Sequence, residues 1–272
     1  MDVFFPVLLV GLTYVGSTLY TFLEEIRKRQ ILEKELDIAR TIQKCFLPQD
    51  VKGLASLGVS SFMQPALFVG GDLYDIFSFD ENKMGVFIGD VCGKGVPAAL
   101  IMAQTISLFR IFSRQTPGCP EVLRRLNNEL CGKFDGRFVT ALYLIVDTQA
   151  EKARVATAGH GPVLVYKGQT RQIVEVELAR NMPLGIMEGI EYKEVVFECN
   201  KGDKIVVFTD GVNEARSRKQ EEFGIDRVRG IIADKGDGSS DALIEAVKKE
   251  LFEFSARAPQ HDDITLIVLA RV

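Results

Sequence analysis

Beyond Pro48 the chain is a succession of short apolar runs, each stopped by glycine, asparagine or aspartate, and this punctuation restricts what it can fold into. The runs read GVSSFMQPALFVG, DLYDIFSF, KMGVFIGDV, FVTALYLIVD, KARVATAG, PVLVYKG, KEVVFEC and DKIVVFTD, with ITLIVLA closing the chain. They are rich in β-branched and aromatic residues and too short for globular helices. Three longer stretches carry helical spacing. These are Val96 to Ser113 with Met102, Ile106 and Phe109 on one side, Pro120 to Phe134, and Ser240 to Phe254 with Leu243, Val247, Leu251 and Phe254. Strand hairpins grouped around helices predict an α+β fold in layers rather than alternating βαβ units. No internal repeat or low-complexity segment interrupts the pattern.

The N-terminal part is of a different kind. From Val3 to Leu23 no charged residue occurs, and a helix of that length matches a hydrocarbon core of about 30 Å. Residues 1–24 are therefore expected to form a transmembrane helix, and the basic cluster Arg27, Lys28, Arg29 places the bulk of the chain in the cytoplasm. The expectation is a single-pass protein of the cell inner membrane. Residues 25–47 hold strong helix formers without glycine or proline, and Leu32, Leu36, Ala39, Gln43 and Phe46 follow a 4-3-4-3 spacing. This helical linker either pairs with a second copy as a short coiled coil or packs on its own catalytic domain, expected over residues 48–272.

Composition removes several function classes. With 33 Lys and Arg against 37 Asp and Glu, scattered rather than striped, the chain lacks the charge of a nucleic-acid binder. Five cysteines stand far apart, without a pair spaced for zinc or redox exchange. Two histidines, His160 and His261, are too few for a zinc protease or a multi-histidine hydrolase. Chemistry here has to run on oxygen ligands.

Aspartates recur where apolar runs meet turns: Asp72 and Asp75 in GGDLYD, Asp90 in IGDVCGKG, Asp210 in VVFTDGV, and Asp262 and Asp263 in HDDITLIV. A single such aspartate is ordinarily a turn former. Four such sites in one sheet protein can meet in one cleft, where unpaired carboxylates repel and a hard divalent cation is the natural remedy. The segment IGDVCGKGVPAAL also invites comparison with a nucleotide phosphate loop. Gly89 and Gly93 bracket only three residues, however, and Gly95 rather than a hydroxyl residue follows Lys94. Asp90 is better explained as a metal ligand.

The ordered set GGDLYD, GDVCGKGVPAAL, FVTALYLIVD, ATAGHGP, PLGI, FTDGVNEA and HDDITLIVL resembles the protein phosphatase 2C family of metal-dependent serine/threonine phosphatases, in its bacterial sporulation-stage-II-E and stress-regulator branch. The resemblance runs from about Leu36 to the C-terminus. It implies a PP2C-like four-layer αββα sandwich, preceded here by the helical linker and the transmembrane helix, with two Mn²⁺ or Mg²⁺ ions at one edge. By the same resemblance Asp90 bridges the two ions and the carbonyl of Val91 completes one of them. Asp210 and Asp262 supply further ligands, Asp72 stands near the second ion with Asp75 as a neighbour, and Asp263 supports them. The implied reaction is attack of water on phosphoserine or phosphothreonine, without a covalent intermediate and hence without a role for Cys92 as nucleophile. The implied partner is a phosphorylated anti-sigma-factor antagonist.

The chain departs from the eukaryotic members at two places. Asp90, Val91, Cys92 and Gly93 stand where those carry Asp-Gly-His-Gly, and Phe68, Val69 and Gly70 stand where those carry a phosphate-binding arginine. Lys94 is weighed as a phosphate ligand against a solvated turn lysine, and His160 reads as a turn-stabilising residue. His261, next to Asp262, is balanced between the two roles. A catalytically weak, phosphatase-like signalling scaffold is the alternative from another functional class.

Overall fold

The computed structural model describes residues 4–48, 51–116, 118–256 and 258–272. Two compact units divide between Ile42 and Gln43. In the first, helix α1 (Phe4–Phe46) runs without a break across the expected boundary between anchor and linker and contributes its last turn to the second unit. Residues 1–3 of the expected anchor lie outside the described residues. Leu12, Tyr14, Val15, Leu19, Tyr20 and Phe22 of the first unit are exposed. Further along, Lys28 pairs with Glu24 and Arg29 with Glu33 at i,i+4 spacing.

The second unit contains, in chain order, β1 (Leu57–Gln64), β2 (Leu73–Ser78), β3 (Lys83–Val91), α2 (Val96–Gln115), α3 (Cys119–Leu130), β4 (Val139–Asp147), β5 (Lys152–Ala158), β6 (Val163–Lys167) and β7 (Gln172–Glu175). There follow β8 (Glu194–Glu198), β9 (Lys204–Phe208), the single turn α4 (Asp210–Asn213), α5 (Ile225–Lys235), α6 (Ser240–Ser255) and β10 (Ile264–Arg271). Two antiparallel sheets result, with strand orders β1-β10-β9-β6-β7 and β2-β3-β4-β5-β8. Helices α2 and α3 cover the second sheet, and α5 and α6 cover the first. The fold is the expected four-layer αββα sandwich.

Period-two alternation in the central strands builds three apolar layers at once. In β3, Met84, Val86 and Ile88 face the opposite sheet while Phe87 and Val91 face the helices. In β4, Leu142, Leu144 and Val146 point inward and Ala141, Tyr143 and Ile145 outward. The same split holds in β9 and β10, where Ile205, Val207, Ile267 and Leu269 meet the first set and Val206, Phe208, Leu266 and Val268 meet α5 and α6. Strands buried on both faces read as continuous apolar runs, which is why DKIVVFTD and ITLIVLA show no polar face.

Local signals set the ends of the elements. Strand β1 stops at Gln64 because Pro65 cannot donate to the ladder. Helix α2 opens with Pro97 in its first turn, and Ser239 caps α6 by accepting from the Ala242 amide at 3.2 Å. Helix α3 ends at Leu130, four residues short of the expected Phe134, with Cys131 as its C-cap. The edge strand β7 and the helix α5 are additions to the expected set. Helix α5 buries only Val228 and Ile232 and carries Gly230 in its interior, so its sequence period is faint.

Among the described residues, the helix long and apolar enough to cross a membrane is α2. It is a core helix: Ala98, Ile101, Met102, Ile106 and Phe109 are buried against the sheet. The ring of Phe109 stacks on Phe87 with centroids 4.0 Å apart and meets Tyr143 edge-on at 5.0 Å. Phe109→Ala is therefore expected to lower the unfolding free energy by about 3–5 kcal/mol. Equilibrium urea denaturation checks this, and a loss below about 1 kcal/mol would show that α2 does not rest on the sheet as described.

Candidate carboxylate centre

The ladders bring the strand-end aspartates to one edge. Pairing of β2 with β3 sets Leu73 opposite Gly89, so Asp72, just before β2, reaches the end of β3 where Asp90 stands. Pairing of β9 with β10 sets Phe208 opposite Leu266, so Asp210 after β9 lies beside Asp262 and Asp263 before β10. One sheet thus supplies Asp72 and Asp90, and the other supplies Asp210, Asp262 and Asp263. Thr209 and Thr265 stitch the two together, donating to Asp72 Oδ2 at 2.8 and 2.5 Å.

Asp72 is buried, and its second carboxylate oxygen, Oδ1, has no hydrogen-bond partner. Burial, reinforced by the charge of Asp90, pushes its pKa well above the usual carboxylate range. Asp90 is pushed up to about 8, by burial first and then by the charges of Asp210, Asp262 and Asp263. Burial and then Asp262 also raise Asp210. An orphaned buried carboxylate oxygen among groups that resist ionisation is the signature of a missing positive charge.

The backbone leaves room for that charge. A Cβ on Gly71 would stand 3.0 Å from the Val91 carbonyl oxygen and 3.3 Å from Asp90 Oδ1, so these two oxygens face a space open only because residue 71 is glycine. The donor set is oxygen throughout, which suits magnesium or manganese. Among the described residues no group of three or more acidic, imidazole or thiol side chains is already gathered closely enough to hold a metal ion by itself.

Other acidic residues are spoken for. Asp263 accepts from the amides of Ala66 at 2.7 Å and Gly71 at 2.6 Å, so it fixes the glycine loop ahead of Asp72. Asp75 does not join the centre: it is buried against Arg110, which donates Nε at 2.7 Å and Nη2 at 3.1 Å to its carboxylate. Lys94 is no free turn lysine either, since its ammonium lies 3.0 Å from Asp262 Oδ2 and donates to the His261 carbonyl. His160 is buried, receives a hydrogen bond at its carbonyl from Thr157 at 2.5 Å, and is pushed down to about 4 by burial, hence neutral. The Cys92 amide donates to the Phe138 carbonyl at 2.9 Å, and the cysteine is free.

Sequence reasoning missed four contributors. Thr209 and Thr265 hold Asp72, and Glu214, one turn beyond Asp210, carries a pKa raised by burial and then by Asp210. The fourth is Gln43, which seemed to interrupt an apolar stripe. It is buried, accepts from the Gly70 amide at 3.1 Å and donates to the Gly70 carbonyl at 2.7 Å. Arg110 also donates to the Phe46 carbonyl at 2.8 Å, so the last turn of α1 is bound to the glycine loop and to α2. A lone polar residue at a core-facing helical position was the available signal.

The structure superposes on the SiaA-PP2C domain of Pseudomonas aeruginosa with a TM-score of 0.79 at 22% identity, covering 90% of this chain and 98% of that one. It superposes on the RsbU and RsbW domains of Rv1364c from Mycobacterium tuberculosis with a TM-score of 0.68 at 24% identity, covering 83% and 63%. The fold is that of the protein phosphatase 2C class. Residues 80–272 match the family described as Stage II sporulation protein E (SpoIIE), and the chain belongs to that family. Similar proteins include Phosphoserine phosphatase RsbU of Bacillus subtilis, 29% identical over 89% of this chain and 72% of that protein. Phosphoserine phosphatase RsbP of the same organism is 30% identical over 66% of this chain. Protein IcfG of Synechocystis is 26% identical over 95% of this chain. The chain spans 45% of the length of RsbP and of IcfG.

The raised carboxylates fix a pH dependence. Asp90 has a folded pKa of about 8 against the ordinary aspartate value of 3.8, so without cation the folded state holds an extra proton between those values. Stability is then fully present below about pH 4 and is lost as pH rises toward 8. Melting of the cation-free protein is expected to fall across that window, with Asp90→Asn flattening the fall. Added manganese should reverse it and release protons, measurable by titration calorimetry in buffers of different ionisation enthalpy. Binding without proton release at pH 6 would contradict the assignment.

Proposed function

We propose that this chain hydrolyses phosphoserine or phosphothreonine on a protein, using two Mn²⁺ or Mg²⁺ ions at the carboxylate centre. The observation that carries the reading is the partnerless, buried Asp72 Oδ1 beside Asp90, in a chain whose relatives are named phosphoserine phosphatases. Asp90 would contribute to both ions and the Val91 carbonyl to one of them, with Asp210, Asp262 and Asp72 supplying further oxygen ligands. Ions bound there would acidify water at neutral pH and offset charge on the phosphoryl group. The residues do the positioning: Thr209 and Thr265 hold the orientation of Asp72, and Asp263 holds the loop that presents it. Lys94 neutralises Asp262 through its ammonium.

The substrate class is a phosphorylated anti-sigma-factor antagonist in a bacterial partner-switching pathway, a reading that rests on resemblance to the stress-regulator branch. Membrane attachment rests on the charge-free stretch from Val3 to Leu23 and on the exposed apolar side chains of the first unit, with the catalytic unit on the cytoplasmic side of the inner membrane. Self-association rests on the linker part of α1, where Ile31, Ile38 and Ile42 are exposed at spacings of seven and four. The other end of the same helix grips Gly70 through Gln43, so a change in helix pairing would bias the glycine loop and Asp72.

Manganese-dependent phosphate release from p-nitrophenyl phosphate tests the reaction and separates catalysis from a phosphatase-like scaffold. Asp90→Asn and Asp210→Asn are expected to abolish it with the fold intact by circular dichroism, and Cys92→Ser to keep most of it. Near-native turnover in both aspartate variants at saturating manganese would defeat the reading. For the helix, sedimentation and turnover of the fragment 24–272 and its Ile38→Glu variant are expected to shift together. Unchanged association and unchanged rate would reduce α1 to a passive tether.

A further inference from the structure

Beside the Asp210 and Asp262 flank of the carboxylate centre lies a cavity of about 390 Å³ that the hydrolytic reading leaves unused. Its volume falls within the range of about 300–1,000 Å³ common to ligand sites. It is continuous with the centre, because Asp262 lines it and so does Gly211, the residue after Asp210. Ala215, Phe252, Pro259 and the buried Ile264 give it an apolar floor, and Ala258 closes one side. Glu214, Arg216 and His261 also stand among its walls, so charged and polar groups of both signs flank the apolar floor.

The walls are held in place before anything binds. Gln64 donates to Gln260 at 2.7 Å, and Gln260 donates to the carbonyls of Gln64 at 2.9 Å and Asp262 at 2.7 Å. These bonds tie the rim of the cavity to the loop that carries Asp262. Phe252 packs edge-on against Phe62 at 6.2 Å, and the Lys248 ammonium sits 4.7 Å from the Phe62 ring. Pre-set walls spare a ligand part of the ordering cost of binding.

We propose that this cavity receives an apolar side chain flanking the phosphorylated residue of the protein substrate, and so selects which phosphoserine is hydrolysed. The inference rests on the phosphatase reading of the same centre. An extended polypeptide advances about 3.3 Å per residue, so a chain with its phosphoryl group at the carboxylates places a residue one or two positions away over the cavity. The floor favours leucine-like side chains over glycine, which would leave it unfilled.

The test uses the full chain in detergent micelles with manganese, on seven-residue phosphoserine peptides carrying Leu, Gly or Glu on each side of the phosphoserine. p-Nitrophenyl phosphate, which has no flanking residue, is the reference. The expected result is a kcat/KM for the best leucine peptide about tenfold above its glycine and glutamate counterparts. Ala258→Trp, which fills the cavity, should erase the leucine preference through KM while kcat holds. Phe252→Ala, which removes part of the floor, should reduce it and guards against misfolding of the tryptophan variant. Equal kcat/KM for the three peptides, or a preference that survives both substitutions, overturns the cavity assignment while the phosphatase reading stands on the reference turnover. No turnover of any probe overturns both.

Discussion

Five aspartates crowd one edge of this sandwich, and mutual repulsion among carboxylates withdrawn from water is the constraint around which the rest of the second unit is arranged. Each neighbour answers it differently. Asp263 spends both oxygens on backbone amides, and Asp262 takes the Lys94 ammonium. Asp72 is held on one oxygen by two threonines, and Asp90 is left with a pKa near that of a weak base's conjugate acid, at about 8. What remains after these local solutions is an excess of negative charge facing an open space between the Val91 carbonyl and Asp90. Two antiparallel sheets are needed to produce it, since neither alone carries both halves of the set.

The strands other than β7 and the helices α2, α3 and α6 were legible in the sequence because turn residues bound their apolar runs, and the strand-end aspartates stood out because glycine adjoins Asp72, Asp90 and Asp210. Helix α5 was not legible: two buried residues and an interior glycine leave little period to read. Nor did spacing separate the aspartates by role. Asp75 and Asp72 lie three residues apart in GGDLYD, yet one faces Arg110 and the other the centre. That difference is made by a guanidinium 35 residues away along the chain. The role of Gln43 within the 4-3-4-3 stripe is likewise hidden from the sequence, since its partner is the backbone of Gly70, which has no side chain to mark it.

The hydrogen bonds of Gln43 and Arg110 make the end of α1 part of the second unit rather than a spacer before it. Gln43, Gly70 and Asp263 form one chain of contacts that ends at the amide of Asp72. Buried polar links of this kind transmit position, because leaving any one of them unmade costs about 1–3 kcal/mol. Apolar packing at the same place would tolerate slippage. The glycine loop is thus held from both ends, by the helix that precedes the sandwich and by the strand that closes it.

The central claim is that divalent cations occupy the space between the two sets of aspartates. Anomalous scattering at the manganese absorption edge, from crystals grown with manganese, tests it without reference to activity. The account predicts peaks within ligand distance, about 2.0–2.6 Å, of the Asp90 carboxylate and the Val91 carbonyl, flanked by Asp72 on one side and by Asp210 and Asp262 on the other. Manganese bound elsewhere, or no peak there at concentrations that saturate the protein in solution, would contradict it.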